Sequence, residues 1–387
     1  MGGAIIMKTC LFSLLLFFAV VNVAAQQNST GILQFVFTSD AHYGINRTSF
    51  RGQQAVDGHT VNAAMVQQIN SLPGIVFPKD SGIAAGQSVG AVDFLVQGGD
   101  IANRMEIPNQ SAADSWMQFD TDYIKGITLT DHAGKKAGLM VVPGNHDITN
   151  AIGFYKPMKP ATDASSMANI YNLMLNPKVP LTKETYSYSM DKINYSKNIG
   201  GIHFMFITLW PDSAERVWMK KDLRSVRKKT PVFIFTHDPP ECEAKHFSNP
   251  KPQPFNATDK FENLVAEQYK DASTAMADAG KTTMEQTGWI QFLKKHPNIK
   301  AYFHGNSNWN EFYQYTGINK EVSLNTFRVD SPMKGRFSAK DETKVSFHVV
   351  TIDTVARMMT VRECLWNTEP SNPHCPIKWG ESKTVSF

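Results

Sequence analysis

Cysteine is scarce, with four residues in a chain of 387. They are Cys10, Cys242, Cys364 and Cys375, and none forms the clustered thiolate pairs of a four-cysteine structural zinc site. Charge is also thin and balanced: charged residues make up 19%, the net charge is +4 and the pI is near 8.7. The densest basic stretches, Lys220-Lys221 and Arg227-Lys228-Lys229, read as the solvated face of a helix, so no nucleic-acid partner is expected. After Leu11–Val21 no apolar run approaches the roughly 18 residues of a membrane span. No internal repeat or interdomain linker is evident. What the chain does have is 42% hydrophobic residues, enough for a full core in one large or two ordinary domains.

The N-terminus has the pattern of a targeting signal. Lys8 precedes the apolar run, and Val23-Ala-Ala25 supplies small residues for cleavage. The expectation is a signal peptide over 1–25, a single domain over 26–365 and a Pro-rich tail over 366–387. The mature protein is then secreted or periplasmic, with no membrane association after signal removal. In an oxidising compartment Cys364 and Cys375 could close a short loop, a pairing the spacing leaves open, while Cys242 stays a bystander.

Strand and helix signals alternate along the chain. Ile32–Phe37, Asp93–Gln97 and Gly138–Val142 read as strands, with helices over Val61–Ile69 and Trp116–Ile124 between them. This βαβαβ order predicts an α/β fold with its site at the carboxyl ends of strands. In the second half Thr185–Ile193 and Ile202–Leu209 alternate like a hairpin. Glu215–Val226 and Thr283–Lys295 read as helices, and Pro231–Phe235 and Ile299–Phe303 as strands. Ser323–Val329, Lys344–Ile352 and Met358–Leu365 read as a closing meander. One domain of two packed sheets flanked by helices accommodates all of these.

Five apolar runs end in side chains that bind metals. The segments are Asp40-Ala-His42, Gly99-Asp100, Gly144-Asn145-His146-Asp147, His237 and His304-Gly-Asn306-Ser-Asn308. Such distant positions meet only if the strands lie side by side, which implies one shared site. Carboxylate, imidazole and amide oxygen together suit borderline divalent ions such as Mn, Fe, Zn or Co. Asp40 and His42, two apart on extended chain, point to one face. Asp100 on its Gly-lined turn can approach two metals, and Asn145 and His237 can complete the neighbouring site. Two such ions can hold a nucleophile and clamp a phosphoryl oxygen. His146, with Asp147 beside it to fix its tautomer, is placed to donate a proton to the leaving oxygen.

These motifs, in this order and at strand ends, resemble the calcineurin-like metallophosphoesterase family over about residues 31–310. Trp218-Met-Lys-Lys-Asp-Leu223 adds to the likeness. The resemblance implies a four-layer αββα sandwich, two divalent metal ions with Asp100 bridging, and hydrolysis of phosphate mono- or diesters by a hydroxide held between them. The family usually ends its motif set with Gly-His-x-His. Here Asn306 and Asn308 occupy those positions, as weaker oxygen donors, and His304 is a possible substitute ligand. Purple acid phosphatases carry a tyrosine three residues after the bridging aspartate; this chain has Asn103. The leading expectation is therefore an exported phosphoesterase with a small-molecule substrate. The alternative is a protein of the same fold that binds metal or phosphate with little or no turnover.

Overall fold

The computed structural model describes residues 1, 31–103, 110–148, 163–188, 190–241, 246, 284–372 and 374–387. The expected signal peptide beyond residue 1, Cys242 and residues 151–162 and 247–283 lie outside the described residues.

The first sheet is built around β1 (Ile32–Thr38), which runs parallel to β4 (Phe94–Gln97), itself parallel to β5 (Gly138–Val141). On the other side β1 is antiparallel to β12 (Ser346–Asp353), followed by β13 (Met358–Leu365) and β14 (Lys378–Ser386). The hairpin of β2 (Asn46–Phe50) and β3 (Gln53–Asp57) stands apart. The second sheet has the order β10 (Glu311–Tyr315), β11 (Leu324–Arg328), β9 (Ile299–His304), β8 (Val232–Phe235), β7 (Ile202–Phe206) and β6 (Tyr195–Ile199). Strands β7, β8, β9 and β11 are parallel and the two outermost are antiparallel. The helices are α1 (Gly58–Ser71), α2 (Ala112–Phe119), α3 (Asn145–Ile148), α4 (Ser165–Leu175), α5 (Ser213–Asp222) and α6 (Met284–Lys295). Both sheets are mixed, as expected, and each has six strands, with helices packed against them.

The period of two along each strand explains the layering. Phe233, Phe235, Phe204, Phe206, Phe303 and Phe327 join the core shared with Phe35 and Phe37 of β1. The alternate residues Val232, Ile234, Met205 and Tyr302 pack instead with Trp289 and Leu293 of α6 and Met219 of α5. Phe206, Phe235, Phe303 and Phe327 stack in sequence across the second sheet at 5.2, 4.8 and 5.0 Å. Phe35 and Phe37 meet this row edge-on at 5.5–5.7 Å. Burying each ring stabilises by about 1.5–3 kcal/mol, and favourable pair geometry adds about 0.5–1.5. This seam fixes the two sheets just beneath the strand ends that carry the polar motifs.

Three sequence expectations change. Thr185–Ile193 is not a strand; the partner of β7 is β6, joined through Gly200-Gly201 at positive φ. Tyr186 and Tyr188, whose spacing mimicked a strand, stack edge-on in an irregular segment. The closing meander is divided, because β11 pairs in parallel with β9 in the second sheet while β12 and β13 belong to the first. The stretch read as a tail carries β14, the edge strand on β13. Its exposed Lys378 and Glu381 suit an edge that must resist further pairing. Cys364 and Cys375 are buried and unpaired with each other, the Cys375 thiol donating to Trp366 O.

One buried acid conflicts with its surroundings. Asp330 is 3% exposed, and Ser338, the Ser331 N–H and the Arg47 charge only partly offset the loss of water around its carboxylate. Burial pushes its carboxyl up to about 7. A folded-state value above the unfolded one means the native state holds the proton longer. Its contribution is therefore favourable below about pH 4 and fades as pH rises towards 7. Asp330→Asn should flatten that part of the stability profile; urea midpoints at pH 5 and pH 8 that shift equally in variant and wild type would contradict this.

Candidate metal centre

Five strand ends deliver the site. Asp40 and His42 follow β1, Asp100 follows β4, Asn145 and His146 open α3 after β5, His237 follows β8, and Asn306 and Asn308 follow β9. Two groups of ligand atoms come within 4.8 Å of one another: His42, Asp100 and His146, and Asp40, Asp100 and His237. Asp100 belongs to both. Its Oδ2 lies 3.3 Å from His237 Nε2, 3.6 Å from His42 Nε2 and 3.8 Å from His146 Nε2.

The backbone makes this convergence possible at a cost. Asp40, His42, Asp100, Asn306 and Asn308 all have positive φ, between 44° and 64°. That region costs an L-residue roughly 1–2 kcal/mol, least for Asn and Asp. Glycine is required where the loops touch: a Cβ on Gly144 would lie 2.8 Å from His237 Cε1 and closer still to Asp100. Asp147 holds the loops together. It accepts backbone N–H bonds from Ile101 and Ala102 at 3.0–3.1 Å and from Gly144 at 3.0 Å. The sequence reading gave Asp147 the orientation of His146; the structure gives it the clamping of the Asp100 loop onto the Gly144 loop. The cause is local, since the first turn of α3 points the Asp147 carboxylate back at those N–H groups.

Protonation fits a cation site. Burial and the charge of Lys334 hold the His42 pKa down against the pull of Asp40 and Asp100, which keeps its imidazole neutral. Burial also opposes protonation of His237, yet Asp100 and Asp40 outweigh it and raise its pKa well above the usual value. A buried carboxylate pair thus demands positive charge at that point. His237 Nδ1 lies 2.8 Å from Gly98 O and must carry a proton, because a carbonyl only accepts; Nε2 then faces Asp100 and, at 3.2 Å, Asn145 Oδ1. Among the described residues Asp40 Oδ1 and Asn308 Oδ1 are buried acceptors without hydrogen-bond partners. Carboxylate, imidazole and amide donors with unmet acceptors are what a divalent ion requires.

The remaining candidates separate. His146 is 9% exposed, with its ring edge-on to His42 at 4.8 Å and its N–H donating to Asp100 Oδ1 at 2.8 Å. It is thus the most exposed of the side chains in the two ligand groups, the others being at most 2% exposed. Asn306 is joined to the site through its backbone N–H, 2.9 Å from Asp40 Oδ2, and Asn308 Nδ2 donates to Asn306 O. His304 is turned away and belongs to neither ligand group: Nε2 lies 3.1 Å from Tyr313 Oη and Nδ1 3.1 Å from Gly305 O. Sequence reasoning missed Ser331 and Lys334, in the turn after β11. Ser331 Oγ donates to Asp40 O at 2.9 Å, and Lys334 Nζ donates to Asn103 Oδ1 at 3.2 Å. Only the Pro332 and Gly335 punctuation marked that turn, and nothing in it marked a site.

The calcineurin-like phosphoesterase family model matches residues 33–319. Among solved structures, a dimetal phosphatase from Danio rerio is 10% identical, covering 92% of this chain and 99% of that one, with a TM-score of 0.46. A predicted phosphoesterase from Streptococcus pneumoniae is also 10% identical, over 92% of this chain and 98% of its own, with a TM-score of 0.32. The calcineurin-like phosphoesterase YfkN from Bacillus subtilis is 11% identical over 92% and 90%, with a TM-score of 0.27. No curated protein matches the chain. With the family model spanning most of the sequence over the strand ends that build the centre, this chain belongs to the calcineurin-like phosphoesterase family.

Proposed function

We propose that this protein is an exported phosphoesterase that hydrolyses phosphate mono- or diesters at a centre of two divalent metal ions. The observation that carries the reading is Asp100, one carboxylate shared by two groups of buried ligands. Asp40, Asp100 and His237, with Asn145 beside them, would hold one ion and His42 and Asp100 the other, next to His146, with Asn306 and Asn308 as further oxygen donors. When bound, the ions supply Lewis-acid polarisation of the phosphoryl group and activation of water. His146, the most exposed of the side chains in the two ligand groups, is the residue to donate a proton to the leaving oxygen, and Asp147 keeps its loop in register with Asp100. Export is proposed from the leader-like N-terminal sequence. Among the described residues no helix is long and apolar enough to cross a membrane. The test is a panel of phosphate mono- and diesters with Mn, Zn, Fe, Co and Ca in turn; a folded protein with no turnover under any metal would overturn the reading.

The second reading, a metal- or phosphate-binding protein with little turnover, draws on the amides at 306 and 308. Elemental analysis separates the two readings, since two ions per chain with turnover removes this alternative. The contribution of Asn308 can be isolated. Asn308→Gly tolerates the φ of +64° and deletes the unpartnered Oδ1. We expect metal affinity to fall about tenfold, or about 1.4 kcal/mol, by competition with a chelating dye. An unchanged affinity would place Asn308 outside the coordination shell.

A further inference from the structure

The turn between β11 and β12 crosses the centre and is fixed at several points. Ser331 Oγ donates to Asp40 O and accepts from the N–H groups of Met333 and Lys334 at 3.1 and 2.9 Å. Buried Arg47 donates to Pro332 O and Ser338 O, and the Arg336 N–H donates to Asn308 O at 2.6 Å. The turn is therefore tied to both the Asp40 and the Asn308 sides of the site without help from the Lys334 ammonium. At its apex that ammonium meets Asn103, three residues beyond Asp100. Asn103 is 4% exposed and its N–H is fixed on Tyr43 O at 2.9 Å. Its Oδ1 is taken by Lys334, and its Nδ2 is a buried donor without a hydrogen-bond partner among the described residues. An ammonium and an amide donor thus stand together beside the Asp100 loop.

A phosphoryl group entering this site meets the carboxylates of Asp40 and Asp100. A fixed cation outside the ligand set offsets that repulsion and offers a charge-assisted hydrogen bond to an ionised oxygen. A lysine serves as a point charge for phosphate, on a stem that reaches from a rigid turn. We propose that Lys334, oriented by Asn103, binds a non-bridging phosphoryl oxygen of the substrate and of the product phosphate. The ligand class is accordingly a phosphate ester with at least one ionised oxygen besides the ester linkage. This rests on the phosphoesterase reading for its catalytic part, but phosphate binding can be measured without turnover.

The experiment compares Lys334→Met and Lys334→Arg with wild type as metal-loaded full chains. Metal content is followed by elemental analysis, and inorganic phosphate affinity by calorimetry. Lys334→Met should bind metal as wild type does, bind phosphate at least about tenfold more weakly, the loss of one charge-assisted hydrogen bond, and raise KM more than it lowers kcat. Lys334→Arg should recover most of the phosphate affinity. A lysine that only braced the turn would instead lower stability and metal content in both variants and leave phosphate affinity per loaded site unchanged, which would overturn the proposal. If wild type turns over no phosphoester, unchanged phosphate binding in Lys334→Met still overturns it, and a tenfold loss still supports it.

Discussion

Asp100→Asn is expected to lower kcat/KM for any phosphoester substrate by at least about 1,000-fold and to cut bound metal to less than one ion per chain. A two-metal centre supplies several kcal/mol of transition-state stabilisation, and about 1.4 kcal/mol corresponds to each factor of ten. Asp100 stands in both ligand groups, so its charge serves both positions. Burial opposes ionisation of Asp100, but His237 and His146 outweigh it and hold the carboxyl well below its usual range. The asparagine keeps the side-chain volume and the Oδ1 acceptor that takes the His146 N–H. The loop should therefore persist while the charge is lost. Circular dichroism like wild type, together with lost metal and lost turnover, is the expected outcome. Activity within tenfold of wild type would mean that Asp100 is not the shared ligand.

Arg362→Met should have the largest effect on stability. Arg362 lies on β13, fully buried, and its Nε and Nη2 bind the two oxygens of Asp80 at 2.7 and 3.0 Å. Nη2 also donates to Ile83 O at 2.8 Å, and the guanidinium lies 4.3 Å above the Phe77 ring. Asp80 in turn accepts from Ser382 Oγ on β14 at 2.6 Å. Burial raises the Asp80 pKa, but the hydrogen bonds from Arg362, Ser382 and the Gly82 N–H together with the Arg362 charge outweigh it and hold the carboxyl well below its usual range. This pairing thus stabilises the fold at neutral pH, and its contribution is lost as pH falls below about 4 through the folded-state value. Breaking a buried pair from one side costs about 3–5 kcal/mol, set against a total stability of about 5–15. The double variant Arg362→Met/Asp80→Leu should recover much of the loss, because no uncompensated carboxylate remains. Urea denaturation at pH 7 measures both; a single variant within 1 kcal/mol of wild type would show that the pair contributes little.

The site was legible where chemistry sits at the end of an apolar run. Each of β1, β4, β8 and β9 is a short buried strand and β5 a short half-buried one, and each delivers its polar residues at the carboxyl end. The period of two in Val232–Phe235 and Ile202–Phe206 gave both a core face and a helix-covered face. Sheet membership was less legible. The segment before β11 gives no sign that β11 will pair in parallel with β9 rather than join β12, because that choice is made by contacts distant in sequence. The aromatic spacing of Tyr186 and Tyr188 imitated a strand for a related reason: two rings two residues apart can also pack against each other in irregular chain. Lys334 was hidden because it acts from a turn that only tertiary hydrogen bonds bring to Asp40.

The five left-handed residues at the centre have a thermodynamic consequence. Each is a backbone state that the chain would leave if nothing required it, and together they raise the free energy of the loops by several kcal/mol. An ion that binds only when Asp40, His42, Asp100 and the two asparagines hold these conformations is coupled by mass action to folding itself. Occupancy of the centre then acts as a reporter of foldedness. A chain whose strand ends have not assembled holds metal poorly, and a chain that has taken up metal has its two sheets locked in place.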